Sequence, residues 1–407
     1  MKKLLPYLFL TLTNLVHCNL SWAAESSINL EAASKLSDLD KKIEKAIIDF
    51  NLPGLAIAVV ADGQVIKTQG YGFRDLEKKF PVTENTQFSI GSSTKSFTSF
   101  LLGTLVDEGK LSWDTQVKHY LPDWVLQDEV ASEYTNLTDM LSHRTGLARH
   151  EVIWLANPDL NIKTLMEKLP HLESNQEFRQ SFIYNNHMYA LAGHIAEKVT
   201  GRDWESLIQE RILDKLNMDN TSLDYQAMTS SNNFALPYLE KNQVLVQTEF
   251  NKTLTDVMRP AGSINSSAKD MSKWLQLMVA GGIYDQKQLL QAQTLAKIQS
   301  PHTPITGFTN DAEKSPMHYG LGWFTRTYRG HYQVQHGGNI DGFTSAVFTY
   351  PNENIGIVVL TNKNASRIPH VLALDISEIL LDLKPQNHLK QLTAHQQRMA
   401  QQQQSES

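Results

Sequence analysis

Apolar positions along this chain follow helical spacing in some stretches and strand-like runs in others. Between Leu30 and Phe50, the residues Leu36, Leu39, Ile43, Ala46 and Ile47 fall on one face of a helix. A hairpin follows, with the run Leu55 to Val60, a turn at Asp62-Gly63 and the run Val65 to Tyr71. Gly72 to Glu84 reads as a loop. From Ser92, the spacing of Phe97, Leu101 and Leu105 predicts a helix that runs to Glu108 and stops at Gly109. The stretch from about Leu111 to Tyr238 is helical between polar loops, with its clearest helix from Asn185 to Val199, ended by Gly201, and another at about Trp204 to Leu216. A capped helix is expected at about Ala268 to Val279. Short strands come next at Gly320 to Thr327, Gln333 to Gln335, Thr344 to Tyr350 and Ile355 to Thr361, and a helix at about Pro369 to Leu383 closes the pattern.

Strands at both ends with helices between predict an α/β fold in two packed lobes. One is a discontinuous α/β lobe over about 30–110 and 255–385; the other is a helical lobe inserted at about 111–254. The size agrees, because about 380 residues exceed what one core usually serves. Residues 386–407 are Gln-rich, carry few apolar side chains, and are expected to be disordered or a frayed helix. No internal repeat is visible.

The first residues bear on location. Lys2 and Lys3 precede a mostly apolar stretch from Leu4 to Val16, and Ser21 and Ala23 have signal-peptidase spacing, so residues 1–23 read as a signal peptide. The apolar run is short for a bilayer span, which needs roughly 20 residues. The expected product is periplasmic or secreted, with no stable membrane span after cleavage. Cys18 is the one cysteine and lies inside this leader, behind His17 rather than the small residue a lipoprotein signal needs. Thiol catalysis and thiolate metal sites are thereby excluded from the mature chain. The net charge of −6, about −8 without Lys2 and Lys3, comes with no basic stripe and argues against nucleic acid as a partner.

Candidate chemistry begins with Ser-x-x-Lys. On a helix, i and i+3 share a face, so a lysine amine can approach a serine hydroxyl, and a desolvated lysine can serve as its base. The tetrapeptide occurs twice, at Ser92 to Lys95 and at Ser266 to Lys269. In the second, Ser267 with Asp270 resembles a capping box, which is a structural role. Tyr-x-Asn occurs at Tyr134, Tyr184 and Tyr350. A phenol can relay a proton and the asparagine can hold a substrate amide. Tyr350-Pro351-Asn352 reads as a turn and Tyr134 as a loop residue, whereas Tyr184 stands at a helix entry. His336-Gly337-Gly338 supplies a donor and two positions where a substrate can approach a strand backbone. Each motif alone has an ordinary structural reading; their order singles out Ser92, because no Tyr-x-Asn separates Ser266 from His336.

The segment from Phe88 through Ser92 and Lys95 to Thr98 closely resembles the nucleophile segment of class C β-lactamases and related penicillin-recognising serine hydrolases. Leu141 to Leu147 is similar to that family's HTSGL loop, Tyr184 to Tyr189 to its YSN segment, and Pro260 to Ser267 to its PAGGI stretch. Gln335 to Phe343 is similar to its third motif, and the resemblance runs from about Leu36 to Leu383. It implies a β-lactamase/transpeptidase-like fold, with an antiparallel sheet flanked by helices and an inserted helical lobe. It also implies an acyl-enzyme at Ser92, Lys95 as the base and Tyr184 as proton relay. Asn186, His336, Gly337 and Gly338 would contact substrate, and the backbone N–H groups of Ser92 and Asn339 would form an oxyanion hole. No metal and no organic cofactor is implied, and neither His-Glu-x-x-His nor a phosphate loop argues for one.

His336 departs from the Lys-Thr-Gly usual in dedicated class C β-lactamases; His-x-Gly is typical of peptidase, esterase and amidase relatives. Lysine is a permanent charge and histidine is not. The expected activity is therefore hydrolysis of a small-molecule or peptide substrate, foremost an amide of a D-amino-acid peptide. A carboxylesterase or a weak β-lactamase is the alternative on the same fold. A non-catalytic penicillin-binding or sensor protein is the alternative of another class. His143, Arg144, Arg149 and His150 are read as a loop ordering the helical lobe, with lining the cleft as the second reading.

Overall fold

Alternating residues of the first strand, Gly54–Ala61 (β1), face opposite ways, and both faces are buried. Leu55, Ile57 and Val59 join one hydrophobic cluster, while Ala56, Ala58 and Val60 join another. Such a strand must sit inside a sheet covered on both sides. In the computed structural model, which describes residues 31–250, 256–306, 313–395 and 398, it does. The remaining sheet strands are Gln64–Asp75 (β2), Phe80–Pro81 (β3), Thr303–Pro304 (β4), His318–Tyr319 (β5), Phe324–Tyr328 (β6), His331–Ile340 (β7), Phe343–Tyr350 (β8) and Ile355–Thr361 (β9). Their order is β4-β5-β6-β7-β8-β9-β1-β2-β3, every neighbouring pair antiparallel. The two ends of the chain meet where β1 pairs with β9, with Leu55 opposite Thr361.

One face of the sheet is covered by helix Leu39–Asp49 (α1) and helix Ile368–Leu380 (α5). Helix Ala268–Val279 (α4) covers the other face, with Leu275 against the open backbone of Gly356. Its N-cap is Ser267, whose side chain accepts from the Asp270 N–H at 3.1 Å, as expected. Helix Thr94–Asp107 (α2) is buried on nearly every side, and helix Asn186–Thr200 (α3), capped by Asn185 and ended by Gly201 at φ 69°, packs on it from the inserted lobe.

The second core is not where chain length suggested. Residues of the sheet (Ala58, Val358), of α2 (Phe97, Leu101) and of the helical insertion (Tyr189, Leu207) form one continuous cluster. The separate cluster lies across the sheet, under α1 and α5. The sheet, rather than the lobe boundary, divides the two cores.

Other local expectations shifted. β2 runs on to Asp75 and recruits Phe80–Pro81, so the expected loop is largely an edge hairpin with a bulge. The strand expected from Gly320 begins only at Phe324, because Gly320 to Trp323 turns back on itself with Gly322 at φ 82°. Of the expected disordered or frayed tail, residues 388–395 are helical, with Leu389 and Leu392 buried in the outer core, while residues 396–397 and 399–407 lie outside the described residues. His388 Nε2 also meets Glu378 Oε1 at 3.1 Å. Two leucines at helical spacing suffice where α1 and α5 already offer an apolar face. The leader, residues 1–23, lies outside the described residues. Among those described, no helix is long and apolar enough to cross a membrane.

Truncation after Pro385 is therefore expected to cost about 3 kcal/mol of stability, the burial of two leucines. Urea unfolding of full-length and truncated chains measures it; equal midpoints would show that the tail helix contributes nothing.

Candidate active site

Ser92 stands in a 3₁₀ turn, Gly91–Ser93, that leads straight into α2. Between Gly91 and Phe100 it is the one residue that is not fully buried. Gly91 takes φ 52°, and a Cβ there would lie 3.1 Å from the Asn339 nitrogen, so the β7 backbone runs beside the nucleophile turn. Gly338 makes that approach possible, since a Cβ on it would come within 1.9 Å of the Ile90 carbonyl oxygen. Ser345 reinforces the contact by donating to the same oxygen at 2.8 Å. The Asn339 main chain thus lies beside the Gly91–Ser93 turn, while the Asn339 side chain is tied to Thr344 and Ala365.

Lys95 lies one turn further on and is fully buried. Its Nζ lies 3.1 Å from Ser92 Oγ, and it donates to Asn186 Oδ1 at 2.7 Å and to the Ala261 carbonyl at 2.7 Å. The Tyr184 and Tyr189 rings face it at 4.9 and 5.3 Å. Burial holds the Lys95 pKa well below the ordinary lysine value; the Glu151 carboxylate opposes that shift and Arg149 adds to it. The Tyr184 phenol interacts with Ser92, and burial raises its pKa, so it remains a proton donor at neutral pH. Ser92, Lys95, Tyr184 and Asn186 are therefore brought together as the sequence predicted.

Ser266 is not a second site. It is buried against Thr221 Oγ1 at 2.8 Å, and Lys269 points to solvent. The other Tyr-x-Asn copies are structural too: Asn136 caps a helix through a capping box with Asp139, and Tyr350 is buried in the outer core.

His336 requires a correction. It is buried, with Nε2 2.9 Å from the Tyr319 hydroxyl and Nδ1 2.7 Å from the Gly337 carbonyl. The Gly337 carbonyl can only accept, so Nδ1 carries the proton and Nε2 accepts from Tyr319. No donor is left for a substrate anion. Burial, with the nearby Lys95, pushes its pKa down to about 3, so the ring is neutral. Of the two glycines, Gly337 is partly exposed and Gly338 serves the close packing on Ile90.

Several contributors had no signal in the sequence. Tyr319 holds His336, the Ala261 carbonyl accepts from Lys95, and Glu151 Oε1 and Oε2 accept from Asn186 Nδ2 at 3.2 and 3.1 Å. Phe182 and Phe324 pack around Tyr319. The loop from His143 splits between its two readings. His143, in a left-handed backbone at φ 59°, accepts from the Asn185 N–H at 3.1 Å, and its carbonyl accepts from Ile183 N–H at 2.9 Å. It thereby clamps the segment that presents Tyr184. Arg144 is tied to the buried Asp139 carboxylate at 2.6 Å, and His150 to the Glu173 carbonyl at 2.8 Å. Arg149 alone reaches the cleft, with its guanidinium carbon 5.2 Å from the Tyr184 ring centroid.

A buried lysine on a helix-borne serine, with tyrosine and asparagine from an inserted lobe, defines the class of serine hydrolases with a penicillin-binding-protein-like fold. The chain belongs to the Beta-lactamase family, whose model matches residues 39–379. It is similar to an unguisins hydrolase of Aspergillus violaceofuscus, 30% identical over 80% of this chain and 61% of that protein. It is also similar to the protein flp of Staphylococcus aureus strain N315, 27% identical over 82% of this chain and 64% of that one. The chain thus spans less than two thirds of the length of these curated relatives. The octameric penicillin-binding protein homologue from Pyrococcus abyssi has the same fold, with TM-score 0.76 and 24% identity over 87% of this chain and 79% of that one.

Two outcomes test the site. Gly338→Ala should slow acylation of Ser92 about 100-fold by pushing β7 off the nucleophile turn, with circular dichroism unchanged. For His336, the unfolded chain takes up a proton below about pH 6.5 that the folded ring refuses until about pH 3, so stability falls as pH drops through that window. His336→Asn should flatten that fall; urea midpoints at pH 7, 5 and 4 with the wild-type slope would refute the neutral buried ring.

Proposed function

We propose that the protein is an exported acyl-enzyme hydrolase that cleaves an amide, foremost in a D-amino-acid peptide, through Ser92. The observation that carries this reading is the hydrogen-bond arithmetic at Lys95. A neutral amine has two N–H donors and one lone pair. Two of its three neighbours, Asn186 Oδ1 and the Ala261 carbonyl, can only accept. They take the two N–H groups, and the lone pair is left facing the Ser92 hydroxyl. Desolvation favours that neutral form.

Attack then runs as follows. Ser92 Oγ bonds to the substrate carbonyl carbon while its proton passes to Lys95. The N–H groups of Ser92 and Asn339 receive the developing oxyanion. Tyr184 delivers a proton to the departing amine, and water reverses the sequence to free the acyl group. A neutral His336 supplies no charge for a substrate carboxylate, which favours an amide that carries no carboxylate at that place over the carboxylate-bearing ring of a β-lactam. The hydrolase named for unguisins among the relatives supports hydrolysis as the reaction. Export rests on the leader, residues 1–23.

A fluorophosphonate probe applied to whole cells should label Ser92 on a chain that begins near Ala24. Ser92→Ala should abolish labelling, and Lys95→Met should slow it by roughly 10²–10⁴. Against purified protein, a D-Ala-D-Ala peptide with an amidated C-terminus should outpace nitrocefin. Faster turnover of a nitrophenyl ester with no peptide cleavage would move the reading to an esterase, and turnover unaffected by Ser92→Ala would end it.

A further inference from the structure

Asn186 can serve Lys95 only in one orientation. With Oδ1 toward Nζ, it accepts an N–H and leaves the amine lone pair for Ser92. With the amide turned over, its N–H₂ would compete with the Ser92 hydroxyl for that lone pair. Nothing within Asn186 itself decides between the two.

We infer that Glu151 decides it, as a positioning residue that pins the Asn186 nitrogen away from Lys95. Both carboxylate oxygens accept from Nδ2, and a carboxylate cannot donate. The carboxylate is itself anchored: Trp154 Nε1 donates to Oε2 at 3.0 Å and Arg149 Nε to Oε1 at 3.3 Å. Its side chain is 22% exposed, so the contacts are partly shielded from water. The chain of contacts runs from Trp154 and Arg149 through Glu151 and Asn186 to the amine. The inference rests on Lys95 being the base.

A second consequence is electrostatic. Tyr184 and Tyr189 face Lys95 through their rings, and His143, His336, Arg149 and Glu151 surround it at longer range. Glu151 is the anion in this set. Removing its charge removes the nearby negative charge that favours the ammonium form, so the acid limb of kcat/KM should move to lower pH.

The experiment compares Glu151→Ala and Glu151→Gln on a nitrophenyl ester across pH 4 to 9, with melting temperatures and Ser92 labelling recorded for each. Glu151→Ala should lose about 100-fold in kcat/KM, mostly in kcat. Glu151→Gln, whose carbonyl still accepts from Asn186, should regain most of that loss. In both, the acid limb should shift down. Wild-type rates with an unmoved acid limb in either variant would overturn the inference, as would equal loss in both. If Glu151→Ala does not fold, the rate and acid limb of Glu151→Gln alone decide in the same way. A wild-type protein that the fluorophosphonate does not label would instead sink the reading of Ser92 and Lys95, independently of Glu151.

Discussion

Taking the Lys95 amine out of water is the constraint on which this structure turns. Burying an ammonium costs several kcal/mol unless its hydrogen bonds are met inside the protein. The three partners come from separate stretches: Ser92 in the turn before α2, Asn186 at the start of α3, and the Ala261 carbonyl. Ser92 is a local neighbour, but the full set is met only when the helical insertion, through Asn186, is docked on the α/β lobe. The docking is supported by groups that do no chemistry. Trp204 Nε1 donates to Thr98 Oγ1 at 3.2 Å, and Gly193 leaves room for the Pro260 ring against α3. A continuous hydrophobic cluster across both lobes fixes the rest.

Close backbone approach is the second device. The Gly91–Ser93 turn lies against β7 and the start of α2 against the loop before β6, and each contact falls on a glycine. A side chain on Gly338 would meet Ile90, and one on Gly322 would come within 2.8 Å of the Lys95 carbonyl. The Gly91–Ser93 turn is consequently bordered by the β7 main chain, and the start of α2 at Lys95 by the loop before β6.

The cleft is otherwise aromatic and nearly neutral. Tyr184, Tyr319, Phe182 and Phe324 form its wall, and the third-motif histidine is spent on Tyr319 and Gly337. Arg149 is offset by Glu151 beside it.

Much of this was legible in the chain. The α2 and α4 helices, the β9 strand, the caps at Ser267 and Gly201, and the choice of Ser92 over Ser266 all depend on local spacing and turn chemistry, which a sequence carries directly. Tertiary structure decided the rest. Glu151 and Tyr319 have no motif, and the PAGGI-like stretch does not say that the Ala261 carbonyl meets Lys95, because these contacts arise only by proximity across segments far apart in sequence. His336 looked like a free donor until Tyr319 and Gly337 were seen to occupy both nitrogens. The tail looked too polar to pack until Leu389 and Leu392 met a face already built by α1 and α5. Local order determined which residues could react; only long-range packing determined their protonation, their orientation and which of them a substrate can reach.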